Sequence, residues 1–212
     1  MVDFFDSRID GYDEHMLNNI ESAREFYHFT AECLPRGEKA RILDLGCGTG
    51  LELGEYLSLN PTASAVGIDL APGMLAELQR KLGEFDITLI LGSYFDLPLG
   101  KSEYDAAVSV ESLHHFTKAE KIPLYRKLHD ALKDGGYFIL TDYFADSDES
   151  ERKFREELIC LKAEEGILDG DFYHYDTPLT VAHECEALYE AGFARVQVLN
   201  SWGATHTLKA IK

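Results

Sequence analysis

The feature that most restricts this chain is a short apolar run that ends in glycines. Arg41-Ile42-Leu43-Asp44-Leu45 leads into Gly46-Cys47-Gly48-Thr49-Gly50, and a helix-like stretch follows to Leu59. Glycine is needed where backbone must turn sharply or let a ligand come close. A strand that ends in such a turn and re-enters as a helix is a unit of an open parallel sheet. An acid closes the next apolar run: Asp69 in Val66-Gly67-Ile68-Asp69-Leu70, 19 residues beyond Gly50. A carboxylate at the tip of the second strand can accept both hydroxyls of a ribose. The nicotinamide fingerprint wants its third glycine at the sixth position, where this chain has Leu51; Gly50 is fifth. The loop therefore does not advertise a diphosphate cradle. No GxxxxGK[ST] is present to hold a triphosphate.

The same alternation continues. Apolar runs at Arg41–Leu45, Ala65–Leu70, Ile87–Leu91, Asp105–Val110 and Tyr137–Thr141 are separated by helix-like Gly50–Leu59, Pro72–Leu82 and Lys118–Leu132. That order predicts an α/β fold, a parallel sheet with helices on both faces. Thr117-Lys118-Ala119-Glu120 is a capping-box start, and Asp134-Gly135-Gly136 is read as the stop of that helix. The leader from Asp13 to Leu34 has apolar residues in steps of three and four, so it is one amphipathic helix or a broken pair. Ala145–Gly170 is charged, with Phe154, Leu158, Leu161 and Ile167 or Leu168 as an apolar stripe, and is predicted as a helix over the sheet's end. The acidic run Asp146–Glu151 is read as its solvated start. Asp171–Pro178 reads as loop and Thr180–Ala191 as helix. Arg195–Leu199 and His206–Ile211 flank Asn200-Ser201-Trp202-Gly203 as a hairpin. The expected organisation is one domain over 1–212, with a helical cap at 1–37 and a helical insertion at 145–180 covering the site.

Charge narrows the partners. Lys+Arg 20 against Asp+Glu 38 leaves a net charge of −18 over 212 residues. Such a surface repels phosphate backbones and argues against a nucleic acid gripped through a broad basic face. No apolar run reaches membrane-spanning length, and MVDFFDSRIDGYDEH has no apolar signal core. Cys33, Cys47, Cys160 and Cys185 form no CxxC pair, which suits reduced thiols in a cytoplasm better than a disulfide framework. No metal-ligand set is read from the sequence.

Leu43-Asp44-Leu45-Gly46-Cys47-Gly48-Thr49-Gly50 resembles the first motif of class I S-adenosylmethionine-dependent methyltransferases. Four further segments resemble that family's motifs in order: Gly67–Leu75, Gly92–Leu99, Tyr104–Ser109 with His114-His115, and Leu132–Tyr137. The resemblance implies a Rossmann-like sheet of seven strands, mostly parallel, with the last strand antiparallel. It implies S-adenosylmethionine as cofactor and S-adenosylhomocysteine as product. It also implies roles. Gly46, Cys47 and Gly48 would pass close to the methionine part and Asp44 would orient its amino group. Asp69 would take the ribose, Leu70 and Met74 would lie against adenine, and Ser93 and Tyr94 would meet its edge. Val110 would border the methionine part, and Tyr12 would fold back onto the site.

Methyl transfer needs an acceptor lone pair held in line with the S–CH₃ bond, so proximity outweighs elaborate machinery. A general base is required only for an acceptor that arrives protonated. Glu111, His114 and His115 follow the fourth strand and are the candidate proton-handling groups. Their plainer role is to fix the loop by hydrogen bonding. Tyr143 is a candidate for the acceptor pocket, as are Tyr173 and Tyr175 of the cluster Phe172-Tyr173-His174-Tyr175-Asp176, whose plainer role is to pack the crossing before the Thr180 helix. No Asn-Pro-Pro-Tyr follows strand four; Ser109-Val110-Glu111-Ser112 stands there. The expected acceptor is thus a small molecule, with no nucleic acid or membrane partner, served by a monomer or homodimer. Two alternatives stay open. One is a protein that transfers another group or remodels the cofactor, and the other is a non-catalytic cofactor-sensing module.

Overall fold

The computed structural model describes residues 11–168, 173 and 175–212. The described residues form seven strands and seven helices of eight residues or more: α1 Tyr12–Asn19, α2 Ala23–Glu32, β1 Arg41–Leu45, α3 Leu51–Leu59, β2 Ser64–Asp69, α4 Pro72–Leu82, β3 Asp86–Leu91, β4 Tyr104–Val110, α5 Lys118–Ala131, β5 Leu132–Tyr143, α6 Asp148–Glu165, α7 Val181–Ala191, β6 Arg195–Trp202 and β7 Thr205–Ile211. The strands form one sheet in the order β3-β2-β1-β4-β5-β7-β6. Every pairing from β3 through β5 is parallel. β7 runs antiparallel to both its neighbours, so six strands point one way and β7 the other. This is the Rossmann-like arrangement that the motifs imply.

Side chains along β1 alternate between two cores. Leu43 and Leu45 join Tyr125, Leu128 and Leu188 on one face. Ile42 joins Phe26, Leu53, Tyr56 and Leu78 on the other. A strand buried on both faces needs apolar residues at both parities, which is why the run reads as continuous. Asp44 sits in the middle of that run with no exposure at all.

The structure corrects several boundaries. The leader takes the second of its two expected forms, a broken pair of helices, with Ser22 between them at φ 57°. The capping box at Thr117 forms as expected, with Thr117 N–H donating to Glu120 Oε2 at 2.8 Å. The glycines at 135–136 do not end that helix, however. It stops at Ala131 and β5 starts at Leu132, so Asp134-Gly135-Gly136 lie inside the strand. The hairpin turn also falls later than expected. β6 continues through Asn200–Trp202 past an irregularity at Val198/Asn200, and Gly203, with φ 57°, supplies the turn. Its Trp202 ring packs edge-on to Phe29 of α2 at 5.4 Å, and its Nε1–H donates to Glu25 at 3.2 Å.

The acidic start of α6 is only partly solvated. Glu151 is buried and accepts from Thr180 N–H at 2.7 Å, while His183 Nδ1 lies 2.8 Å away. It ties α6 to the start of α7. Among the described residues no helix is long and apolar enough to cross a membrane.

Candidate active site

The sheet order reverses between β1 and β4, and ligands of open α/β sheets bind at the carboxyl ends of strands at such a point. Here the loops after β1 and β4, the tip of β2, Tyr94 after β3, and Tyr12 of α1 surround a cleft of about 740 Å³, counted to its open mouth. Gly46, Gly48 and Gly50 all have positive φ, at 79°, 48° and 78°. A Cβ on Gly46 would stand 2.1 Å from Ser112 Oγ, so the β1 and β4 loops meet there with no room to spare. A Cβ on Gly48 would meet no atom within 4 Å. Its missing side chain is open cleft.

Asp69 binds the loop that it faces. Its Oδ2 accepts from Gly48 N–H at 2.9 Å and its Oδ1 from Ala71 N–H at 2.8 Å. A carboxylate has about four lone-pair positions, so both oxygens keep capacity for hydroxyl donors. α1 is tied over the cleft by Asp13, which accepts from Thr49 and, at 2.5 Å, from Lys81 Nζ. That tie delivers Tyr12 to the cleft wall, where burial and the charges of Glu52 and Asp69 push its hydroxyl pKa up.

Beneath the glycine loop lies an acidic pair. Neither oxygen of buried Asp44 has a hydrogen-bond partner among the described residues. Burial, then the neighbouring Glu52 carboxyl, raises its pKa well above the carboxylate range. Glu52, itself buried, is pushed up to about 7, chiefly by burial. A buried carboxyl without a partner is costly unless a ligand completes it. The ammonium of S-adenosylmethionine is the donor such a pair fits, so the residues present suit that cofactor.

The pair sets a pH dependence. Glu52 takes up a proton as the pH falls through about 7, and a cation prefers its ionised form. Affinity for S-adenosylmethionine is therefore expected to hold above pH 7.5. It should fall by up to about tenfold per pH unit below pH 7. Glu52→Gln should flatten the profile. Calorimetry between pH 6 and 8 reads it, and a level wild-type affinity contradicts the ammonium site.

The sequence-predicted residues divide clearly. Tyr12, Gly46, Cys47, Gly48, Asp69, Leu70, Met74, Tyr94, Val110, Glu111 and His115 line the cleft, and Asp44 lies under it. Ser93 does not line it; its Oγ accepts from Phe95 N–H at 3.1 Å and shapes its own turn. Tyr143 packs edge-on to His114 and Phe154, behind the cleft wall. Tyr173 donates its hydroxyl to Glu165 at 2.9 Å, and neither it nor Tyr175 lines the cleft. Phe172 and His174 lie outside the described residues. Glu52, Thr49, Tyr27 and Ser112 line the cleft unforeseen. Glu52 was findable: it sits four residues before buried Tyr56, on the buried stripe of α3.

After β4 the chain is strained and ionised. Glu111 is a non-glycine residue at φ 47°, of the kind held only where surrounding structure enforces it. Its Oε1 accepts from Thr205 Oγ1 at 3.3 Å. Burial and the Asp142 charge raise its pKa to about 7. His114 Nδ1 donates to buried Asp142 at 2.6 Å. Burial alone would lower its pKa, but the Asp142 carboxylate outweighs this and lifts it to about 10. His115 is pushed down by burial and by His114.

Residues 42–136 match a family model described as a methyltransferase domain. That segment of the chain is similar to methyltransferase domains. An uncharacterized methyltransferase of Synechocystis is 32% identical over 58% of this chain and 57% of its own length. An 18S rRNA (guanine-N(7))-methyltransferase of Bos taurus is 33% identical over 56% of this chain and 44% of its own. A carboxy-S-adenosyl-L-methionine synthase of Nautilia profundicola is 22% identical over 98% and 94%. Among solved structures, an O-methyltransferase family protein from Burkholderia thailandensis superposes with a TM-score of 0.74 at 16% identity, over 96% of this chain and 59% of that one. The chain thus spans little more than half the length of the first relative. The methyltransferase match runs from β1 into β5 and contains the glycine loop, Asp69 and the β4 loop.

Proposed function

We propose that this chain transfers a methyl group from S-adenosylmethionine to a small neutral or cationic acceptor. The observation that carries it is the cleft itself: a glycine loop open at Gly48, the buried carboxyls of Asp44 and Glu52 below it, and no Lys or Arg lining it among the described residues. Bound S-adenosylmethionine supplies a sulfonium methyl that reacts without further activation. Asp44 and Glu52 would hold its ammonium, Asp69 its ribose, and Met74 and Leu70 its adenine. Tyr12 and α1 would shut out water from one side, and the domain reading with 1–37 as cap rests on that placement. Glu111, with a carboxyl that titrates near neutrality, would take a proton from an acceptor hydroxyl or ammonium. The four free cysteines suit a cytoplasmic setting.

The acceptor class follows from charge. An RNA acceptor, as named for the rRNA relative, would have to approach a chain of net charge −18. A second reading, suggested by the carboxy-S-adenosyl-L-methionine synthase relative, is remodelling of the cofactor by adding a carboxyl group to it. The remodelled cofactor carries an added carboxylate, and the acidic lining at Glu52, Asp69 and Glu111 disfavours it.

Release of S-adenosylhomocysteine is the assay, run against panels of amines, phenols, thiols, carboxylic acids and RNA. Turnover confined to amines or hydroxyl compounds supports the proposal; turnover on RNA alone overturns it. Asp69→Ala should weaken S-adenosylmethionine at least tenfold, about 1.4 kcal/mol, because it loses both the ribose acceptor and the Gly48 tether. An unchanged calorimetric affinity removes Asp69 from the site.

A further inference from the structure

We propose that His114, His115 and Asp176 form a site for a divalent transition-metal ion whose open coordination position holds an acceptor hydroxyl. The acceptor half rests on the methyl-transfer reading; the metal site does not. The three ligand groups come from two separated stretches, the loop after β4 and the segment before α7, and their ligand atoms all lie within 4.8 Å of one another. His114 Nε2 is 3.5 Å from Asp176 Oδ1, and His115 Nδ1 is 3.2 Å from the same oxygen.

Those separations are long for charge-assisted hydrogen bonds, which run at about 2.7–2.9 Å. They match the edges of a coordination polyhedron. With ligand bonds of about 2.0–2.2 Å and angles between square and tetrahedral, neighbouring ligand atoms stand roughly 2.9–3.5 Å apart.

The outer shell is already built. His114 Nδ1–H donates to Asp142 Oδ1 at 2.6 Å, which directs Nε2 toward Asp176. Asp142 is fixed in turn by Leu113 N–H and Tyr143 N–H, both at 2.9 Å. A carboxylate behind a histidine, setting its tautomer and ring angle, is the usual support of a metal-bound imidazole. On the other side Thr177 N–H donates to His114 C=O at 2.9 Å and pins the stretch that carries Asp176. Glu111, His114 and Asp142 also converge. That inner set would have to use the Nδ1 already committed to Asp142, so the outer trio is the site.

The donor set selects the ion. Two imidazoles and one carboxylate suit Zn²⁺, Co²⁺, Fe²⁺ or Mn²⁺ rather than Mg²⁺ or Ca²⁺, which prefer oxygen throughout. Three protein ligands leave at least one position for a further ligand. Asp176 is half exposed, which gives an ion a way in, and His115 lines the cleft, which places the site at its wall. The rival reading is a latch in which the two histidines merely ion-pair with Asp176.

The test uses the full chain stripped with EDTA and dialysed, with Co²⁺ as probe. Wild type should take up one equivalent with visible d–d bands and lose it to Zn²⁺. Asp176→Asn and His115→Ala should each weaken Co²⁺ at least tenfold while circular dichroism stays unchanged. No uptake of Co²⁺ or Zn²⁺ by wild type, or uptake that both variants leave unaltered, overturns the site. S-adenosylmethionine calorimetry in EDTA separates the two proposals. Cofactor binding without metal uptake sinks only the metal site; metal uptake without cofactor binding sinks only the methyl-transfer reading. Catechol is the hydroxyl probe: added with S-adenosylmethionine present, it should shift the Co²⁺ bands, and a spectrum that does not move overturns the acceptor half.

Discussion

Gly48→Val is expected to abolish S-adenosylmethionine binding, by at least a hundredfold, while the protein remains folded. The backbone there has φ 48°, and a Cβ would touch nothing within 4 Å. The first carbon of the valine side chain therefore meets open space. It occupies the cleft where the loop would meet the ligand. Its own cost is conformational, roughly 1–2 kcal/mol for a side chain held in the left-handed region. In a domain of this size that is about 2–8 °C of melting temperature. The measurement pairs calorimetry with a thermal melt. Retained affinity would mean that the loop does not approach the ligand. Gly46 is a poorer probe, because its Cβ would strike Ser112 and confuse loop damage with ligand blockage.

Lys121→Ala should be the most destabilising single change. Lys121 Nζ donates to Glu184 Oε2 at 2.6 Å, joining α5 to α7, and their side chains are 2% and 0% exposed. Tyr125 donates to the other Glu184 oxygen. Removing the lysine strands a carboxylate in an apolar core, which costs about 3–5 kcal/mol. The melting temperature should fall by roughly 6–20 °C. The triple variant Lys121→Met, Tyr125→Phe and Glu184→Leu should recover much of the loss, because replacing a whole buried polar network by packed apolar groups is often neutral. A fall under about 2 °C in the single variant would show that Glu184 reaches water or another partner.

These two cases differ in how far the sequence could foresee them. Gly48 was legible because a strand, a glycine turn and a helix are contiguous, and each is specified by residues a few positions apart. Nothing in the sequence around Lys121 marks it as half of a buried pair. Its partner is 63 residues away, and only the packing of α5 on α7 buries both. Glu52 lies between these extremes. Its place on the buried stripe was readable, whereas the shared burial with Asp44 needed β1 laid beside α3. The tyrosines went the other way. Aromatic composition suggested a pocket wall at Tyr143 and Tyr173, but an aromatic ring packs equally well behind a wall or against a neighbouring helix.

The sequence by itself determined the alternation of strands and helices, the glycine loop, the acid at the tip of β2 and the family those motifs mark. All are local patterns, fixed by side-chain periodicity and backbone freedom over ten to thirty residues. Tertiary structure alone decided that β7 inserts between β5 and β6. It also decided that α1 swings over the cleft through Asp13, and that His114 and His115 face Asp176 across more than sixty residues of chain. Burial and charge proximity arise only once distant segments are packed, so the ionisation of Glu52, Glu111 and His114 was set by the fold.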